Sequence, residues 1–166
     1  MNRKYVLTNL IFSALFIILI ALDRLTKKLA IKHLIKGDIE IIPNVLRLHY
    51  LENRGAAWGM FQNAFWMFFI ITIVVMVFLI VVYSRMPFER RYWFLRVTII
   101  LLSAGAIGNF IDRIQWHYVV DFIYFECINF PVFNVADCFV CISVGLLMYA
   151  MFFKYKDEDF LWKKKS

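Results

Sequence analysis

The chain has 166 residues, enough for one compact domain and too few for two. Apolar residues make up 63% of it, charged residues 19% and aromatic residues 19%, and so small a chain has too much surface to hide that apolar material in a core of its own. An ordinary water-soluble domain is excluded, and the net charge of +7 on the flanks of apolar runs points to an anionic membrane surface as partner rather than nucleic acid.

Four stretches are apolar and long enough to cross a bilayer, whose core takes about 20 residues of helix. They are residues 6–22, 64–83, 93–111 and 138–153. The first follows Arg3 and Lys4 as a cleaved signal peptide would. Its apolar length exceeds the usual h-region and no small-residue cleavage site follows before Asp23, so a retained span is expected. In the third span Arg96 lies near the end and is expected to snorkel outward. The fourth carries Cys138 and Cys141; with Cys127 they give neither a disulfide framework nor a zinc spacing.

Four spans put both termini on one side. That side carries eleven basic residues against eight on the other, which favours cytoplasmic termini. The outer side then consists of segments 23–63 and 112–137. In the first, Leu25, Leu29 and Leu34 recur at helical spacing, so the first helix is expected to extend past the membrane or lie on it. After Pro43-Asn44, residues 45–51 alternate like a strand and predict a small sheet on the membrane face. No repeat, low-complexity tract or linker interrupts residues 1–166, and a single domain is expected.

The twelve acidic residues separate on this topology. Glu89, Asp157, Glu158 and Asp159 fall on the terminal side as solvated charge. Asp23, Asp112 and Asp137 fall at one membrane boundary, and Asp121 sits inside the apolar run Tyr118-Val119-Val120-Asp121-Phe122-Ile123. A bare carboxylate near lipid needs a partner, a proton or a watery cavity. Each could be structural alone: Asn134 reads as a helix N-cap with Asp137 at the third helical position, and Asp112 could pair with Arg113 or another boundary base. Gly105 and Gly108 could serve close helix packing. Several carboxylates at one level, with Asn53, Asn109 and Asn134 among them, favour chemistry instead. His33, His49 and His117 are scattered without a zinc-protease motif, no serine sits in a nucleophile turn, and no phosphate-cradling loop exists.

Five ordered blocks carry a resemblance: Asp23 with Thr26-Lys27; Asn53-Arg54-Gly55-Ala56-Ala57; Gly108-Asn109-Phe110-Ile111-Asp112-Arg113; Val120-Asp121-Phe122; and Phe133-Asn134-Val135-Ala136-Asp137. Over nearly its whole length the chain resembles the lipoprotein signal peptidase (signal peptidase II) family of bacterial membrane aspartic proteases. The resemblance implies an all-α membrane fold of four transmembrane helices with a small extracytoplasmic sheet, or cradle, and a short surface helix. It implies Asp121 and Asp137 as the catalytic dyad, with Asp23, Asn53, Gly55, Asn109, Asp112, Arg113 and Asn134 in support. The implied substrate is a diacylglyceryl-modified prolipoprotein, cut before the lipidated cysteine at the outer face of the inner membrane. No metal or cofactor is implied, membrane lipid is the surrounding partner, and a monomer is expected. A non-catalytic membrane module with boundary Asp residues as ion or salt-bridge sites is the reading from another class.

Overall fold

The computed structural model describes residues 3–55, 61 and 64–160. Helix α1 runs Arg3–Leu34, α2 Phe65–Arg85, α3 Trp93–Trp116 after a 3-10 turn at Arg90–Tyr92, and α4 Val135–Tyr149. The last continues as a π-helical turn over Ala150–Lys154, and a short α5 follows at Asp157–Phe160. Four of these helices are long and apolar enough to cross a membrane. Their side chains explain why: Ile17, Ile18, Ile70, Val74, Phe78 and Ile80 are all exposed, a surface that water would penalise and lipid accepts.

Helix α3 is the centre of the bundle and packs on α1, α2 and α4. Two glycines make its close approach to α4 and α1 possible. A Cβ on Gly105 would stand 2.5 Å from the Ala136 carbonyl oxygen, and one on Gly108 2.6 Å from Asp23 Oδ2. Small residues of this kind let helices meet in lipid, where no hydrophobic drive brings them together.

Between α1 and α2 the chain forms β1, Ile39–Ile42, and β2, Leu46–Asn53. A third strand, β3 at Val119–Phe125, completes an antiparallel sheet in the order β1-β2-β3. Leu51 pairs with Asp121 and Asn53 with Val119, after a shift of register between Leu48 and Leu51. Phe133 bonds back to Ile123 through both its N–H and its carbonyl, so the segment entering α4 is tied to β3. An apolar cluster of Ala30, Leu34, Val120 and Phe122 packs the sheet on the end of α1. Outside the spans, the helical pieces at this end are the continuation of α1 to Leu34 and a 3-10 turn at Glu126–Ile128. Residues 56–60 and 62–63 of the outer segment, including Ala56 and Ala57 of the second motif block, lie outside the described residues.

Several expected boundaries move. The first helix continues unbroken through Asp23 to Leu34, the extension expected from Leu25, Leu29 and Leu34, whereas the third runs past its expected end at residue 111 through Asp112 and Arg113. Both continue because their charges find partners on neighbouring helices instead of water. The strand expected at 45–51 is Leu46–Asn53, and the run around Asp121 is itself a strand. Arg96 does not snorkel outward. It is buried, donates to the Met86 carbonyl at 2.7 Å, and lies over the rings of Tyr83 and Phe88, pinning the α2–α3 connection.

Candidate active site

The four carboxylates at the sheet end fall into two groups. Asp23 and Asp112, both fully buried, face one ammonium. Lys27 Nζ lies 3.0 Å from Asp23 Oδ2, 2.8 Å from Asp112 Oδ2 and 2.9 Å from Asn109 Oδ1. A lysine ammonium has three N–H donors, and here three acceptors surround it. Arg24 pairs with the other Asp112 oxygen, which leaves the four charges balanced. Both carboxylates also fix backbone: Asp23 Oδ1 takes the Ala136 N–H at 3.1 Å, and Asp112 Oδ2, beside the ammonium, takes the Val120 N–H at 3.2 Å. The cluster thereby clamps the start of α4 and the start of β3 to α1 and α3.

Those two clamped segments carry the second group. Asp121 stands on β3, about 1% exposed, and Asp137 in the first turn of α4. Asp121 accepts from Asn134 Nδ2 at 2.6 Å and from Asn53 Nδ2 at 2.8 Å. Asn53 is opposite Val119 in the ladder, so Asp121 is its diagonal neighbour on the same face. Asp137 accepts from Asn109 Nδ2 at 2.7 Å and from the Asn134 backbone N–H at 3.0 Å. In return the Asp137 N–H donates to Asn134 Oδ1 at 3.0 Å, a reciprocal capping box at the N-terminus of α4. Asn134 is thus the hub: its amide also donates to Asn109 Oδ1 at 3.0 Å.

Both carboxyls line one cavity of about 520 Å³, together with Asn53, Asn109, Arg113 and Gly55. Its far wall is apolar, built of Phe68, Phe130 and Val132 among others. Arg113 donates to the Gly55 carbonyl at 3.4 Å and lies over the Phe68 ring, so its charge faces the cavity beside the acids. Burial, reinforced by the negative charge of Asp137, pushes the Asp121 carboxyl up to about 7, against the pull of its two amide donors. A carboxyl held in that range exchanges its proton near neutral pH, as acid–base work requires. Among the described residues no group of three or more His, Cys, Asp or Glu comes together as a metal-binding set.

The structure brings every expected site residue into this region but gives Asp23 and Asp112 a different place. They lie behind the cavity and hold its walls, while Asp121, Asp137, Asn53, Gly55, Asn109 and Arg113 line it. Lys27 of the first motif block, for which the sequence suggests no role, is fully buried and holds both structural acids. Its spacing of four residues after Asp23 on a helix was the available signal.

Four membrane-crossing helices, with paired carboxyls in a polar-and-apolar cavity at one end, define a multi-pass membrane enzyme. Two solved bacterial membrane enzyme structures, determined by the in meso method, superpose accordingly. One, at 2.3 Å resolution, has a TM-score of 0.74 at 33% identity and covers 93% of this chain and 92% of its own. The other, at 1.9 Å, has a TM-score of 0.73 at 34% identity, over 87% of this chain and 94% of its own. The chain belongs to the signal peptidase II family, whose model matches residues 15–153. It is 40% identical over 159 residues to the lipoprotein signal peptidase of Streptococcus agalactiae serotype Ia, which covers 95% of this chain and 96% of that protein. The lipoprotein signal peptidase of Streptococcus pyogenes serotype M1 is 35% identical over 151 residues, 90% of this chain and 96% of that protein. The protein is therefore a protease and a multi-pass protein of the bacterial cell membrane.

Proposed function

We propose that the protein is an aspartic endopeptidase that removes the signal peptide from diacylglyceryl-modified prolipoproteins, cutting just before the lipidated cysteine. The names of its relatives supply the substrate class. One observation supports the chemistry: Asp121 and Asp137 face a single cavity and are joined through one residue, Asn134.

In this reading the two carboxyls share one proton, because like charges in a poorly hydrated site do not both ionise easily. Asp137 lies in the first turn of α4, where a helix N-terminus favours a carboxylate. It takes a proton from water, which attacks the scissile carbonyl. Asp121 hydrogen-bonds the carbonyl oxygen and then gives its proton to the leaving amine. General acid–base work of this kind supplies about 10²–10⁴-fold. Positioning supplies more, with Asn53 and Arg113 holding the adjoining backbone or ester oxygens and the apolar wall holding acyl chains. The chain acts as one monomeric unit with both termini cytoplasmic, and the cavity opens at the outer interface, where a translocated precursor emerges.

The test is cleavage of matched precursors, with and without diacylglycerol, by purified protein. The modified precursor is cut before its cysteine, and the unmodified one loses mainly kcat, because the lipid sets the register of the scissile bond. Asp121→Asn and Asp137→Asn each abolish turnover, and the double variant is little worse than either. Substantial cleavage by Asp121→Asn removes the aspartic assignment; equal kcat on both precursors removes the lipid requirement.

A further inference from the structure

Two thiols stand in the wall of the cavity and take no part in the chemistry above. Cys138 follows Asp137 directly and is half-buried; Cys141 is exposed; both are free. On α4, Cys141 lies four residues after Asp137 and three after Cys138, so its side chain stands one turn beyond both. Asp137, Cys138 and Cys141 all line the one cavity, together with Phe68 and Phe130. A molecule bonded to either sulfur would fill the volume next to the acids. Cys127 offers a built-in contrast: it is also exposed, but lies in the 3-10 turn Glu126–Ile128 and does not line the cavity.

We infer that Cys138 and Cys141 form a covalent ligand site for small apolar electrophiles, whose bonding closes the cavity to substrate. An apolar Michael acceptor such as N-phenylmaleimide fits the mixed wall: the aromatic rings receive its phenyl group, and a thiol lies within the same space. The step balances without any oxidant. The sulfur electron pair forms a C–S bond to one alkene carbon, the alkene π pair takes up a proton at the other, and the proton lost from the thiol is thereby replaced. Nothing leaves. The thiolate is the reacting form, so the rate rises with pH. The prediction that bonding inhibits rests on the proposed function; the prediction that the site binds before it bonds does not.

The experiment uses the full chain in detergent with N-phenylmaleimide, reading adducts by peptide mass and turnover on a lipidated precursor. Adduct formation at Cys138 or Cys141 saturates with reagent concentration, the mark of a bound complex, whereas at Cys127 it rises linearly. Simple partition of the reagent into the micelle would give linear rates at all three and would overturn the site. Turnover falls at least tenfold on modification of the unsubstituted protein and of Cys127→Ser. Cys138→Ser/Cys141→Ser, compared with its own untreated control, keeps its rate. Inhibition that persists in that double variant, or a full adduct at these thiols with turnover unchanged, would also overturn the proposal. If the untreated protein cuts no precursor, the saturable labelling still decides for the site, and the failure belongs to the proposed function alone.

Discussion

Lys27 and Asn109 meet at 2.9 Å, and through that contact a buried cation fixes an amide that holds Asp137. With Asn109 Oδ1 occupied by the ammonium and by Asn134, its NH₂ group has one direction left, toward Asp137 Oδ1 at 2.7 Å. A turned amide would put donors against donors.

Lys27→Met therefore has two effects. It leaves Asp23 and Asp112 buried without the ammonium that faces both, a loss of about 3–5 kcal/mol for a broken buried pair. It also releases Asn109. Lys27→Arg does not rescue it, because a planar guanidinium cannot address three acceptors set around a point. Thermal unfolding in detergent shows both variants well below the parent; a Lys27→Arg curve that overlays the parent would contradict this account.

The raised Asp121 carboxyl makes stability depend on pH in a stated direction. Burial, with the Asp137 charge, holds it at about 7 in the folded chain, while unfolded it titrates near 4. The folded chain thus binds the extra proton between about pH 4 and about pH 7. Its contribution is full below that window, is lost as pH rises through 7, and stays level above. Unfolding temperatures measured from pH 4 to 8 show this fall in the parent and a flatter line in Asp121→Asn. In the proposed mechanism turnover declines over the same upper limb, as Asp121 loses the proton it delivers.

The glycines of α3 and α4 separate by what surrounds them. Gly108→Ala drives a methyl into Asp23 Oδ2 and Ala136 Cβ, and Gly105→Ala drives one into the Ala136 carbonyl and Val140. Overpacking of this kind costs about 1–3 kcal/mol. Gly145→Ala meets nothing within 4 Å and gains helix propensity, so it is neutral or stabilising. Denaturant titrations of the three variants give that order, and a Gly108→Ala protein as stable as Gly145→Ala would show that the α1–α3–α4 contact is loose.

Orientation can be read with the native thiol. In the proposed topology Cys127 faces outward, so an impermeant maleimide applied to intact cells labels it. A cysteine placed at Glu89, in a chain with Cys127→Ser, stays unlabelled until the membrane is opened. The reverse pattern would put the acids on the face where precursors have not yet crossed.

The four spans were legible because each is a continuous apolar run, a signal that survives without knowledge of any partner. The cap at Asn134 and Asp137 was legible for the same reason, since its two members lie three residues apart. The continuation of the third helix and the burial of the charges beside it were not. Asp23, Lys27 and Asp112 look like boundary charges in the sequence, and their burial depends on partners far along the chain, Lys27 and Asn109 being separated by 82 residues. Strand β3 has no such mark in the sequence, because Val119 to Phe122 are all buried and the polar alternation of a half-exposed strand is missing. Arg96 departs from the expected snorkelling because the carbonyls of a folded connection serve it in place of water.

The Asp23 carboxylate that receives the Ala136 N–H joins residues 113 positions apart, the first membrane helix to the last. Synthesis delivers these in order, so a nascent chain with three helices has its lysine cluster and β2 but neither Asn134 nor Asp137. Until the ribosome has supplied the final quarter of the sequence, Asp121 has one amide donor and no companion acid. In the proposed mechanism, a chain that stops before Asn134 therefore cuts nothing, and a bacterium accumulating such fragments would carry no half-made protease in its envelope.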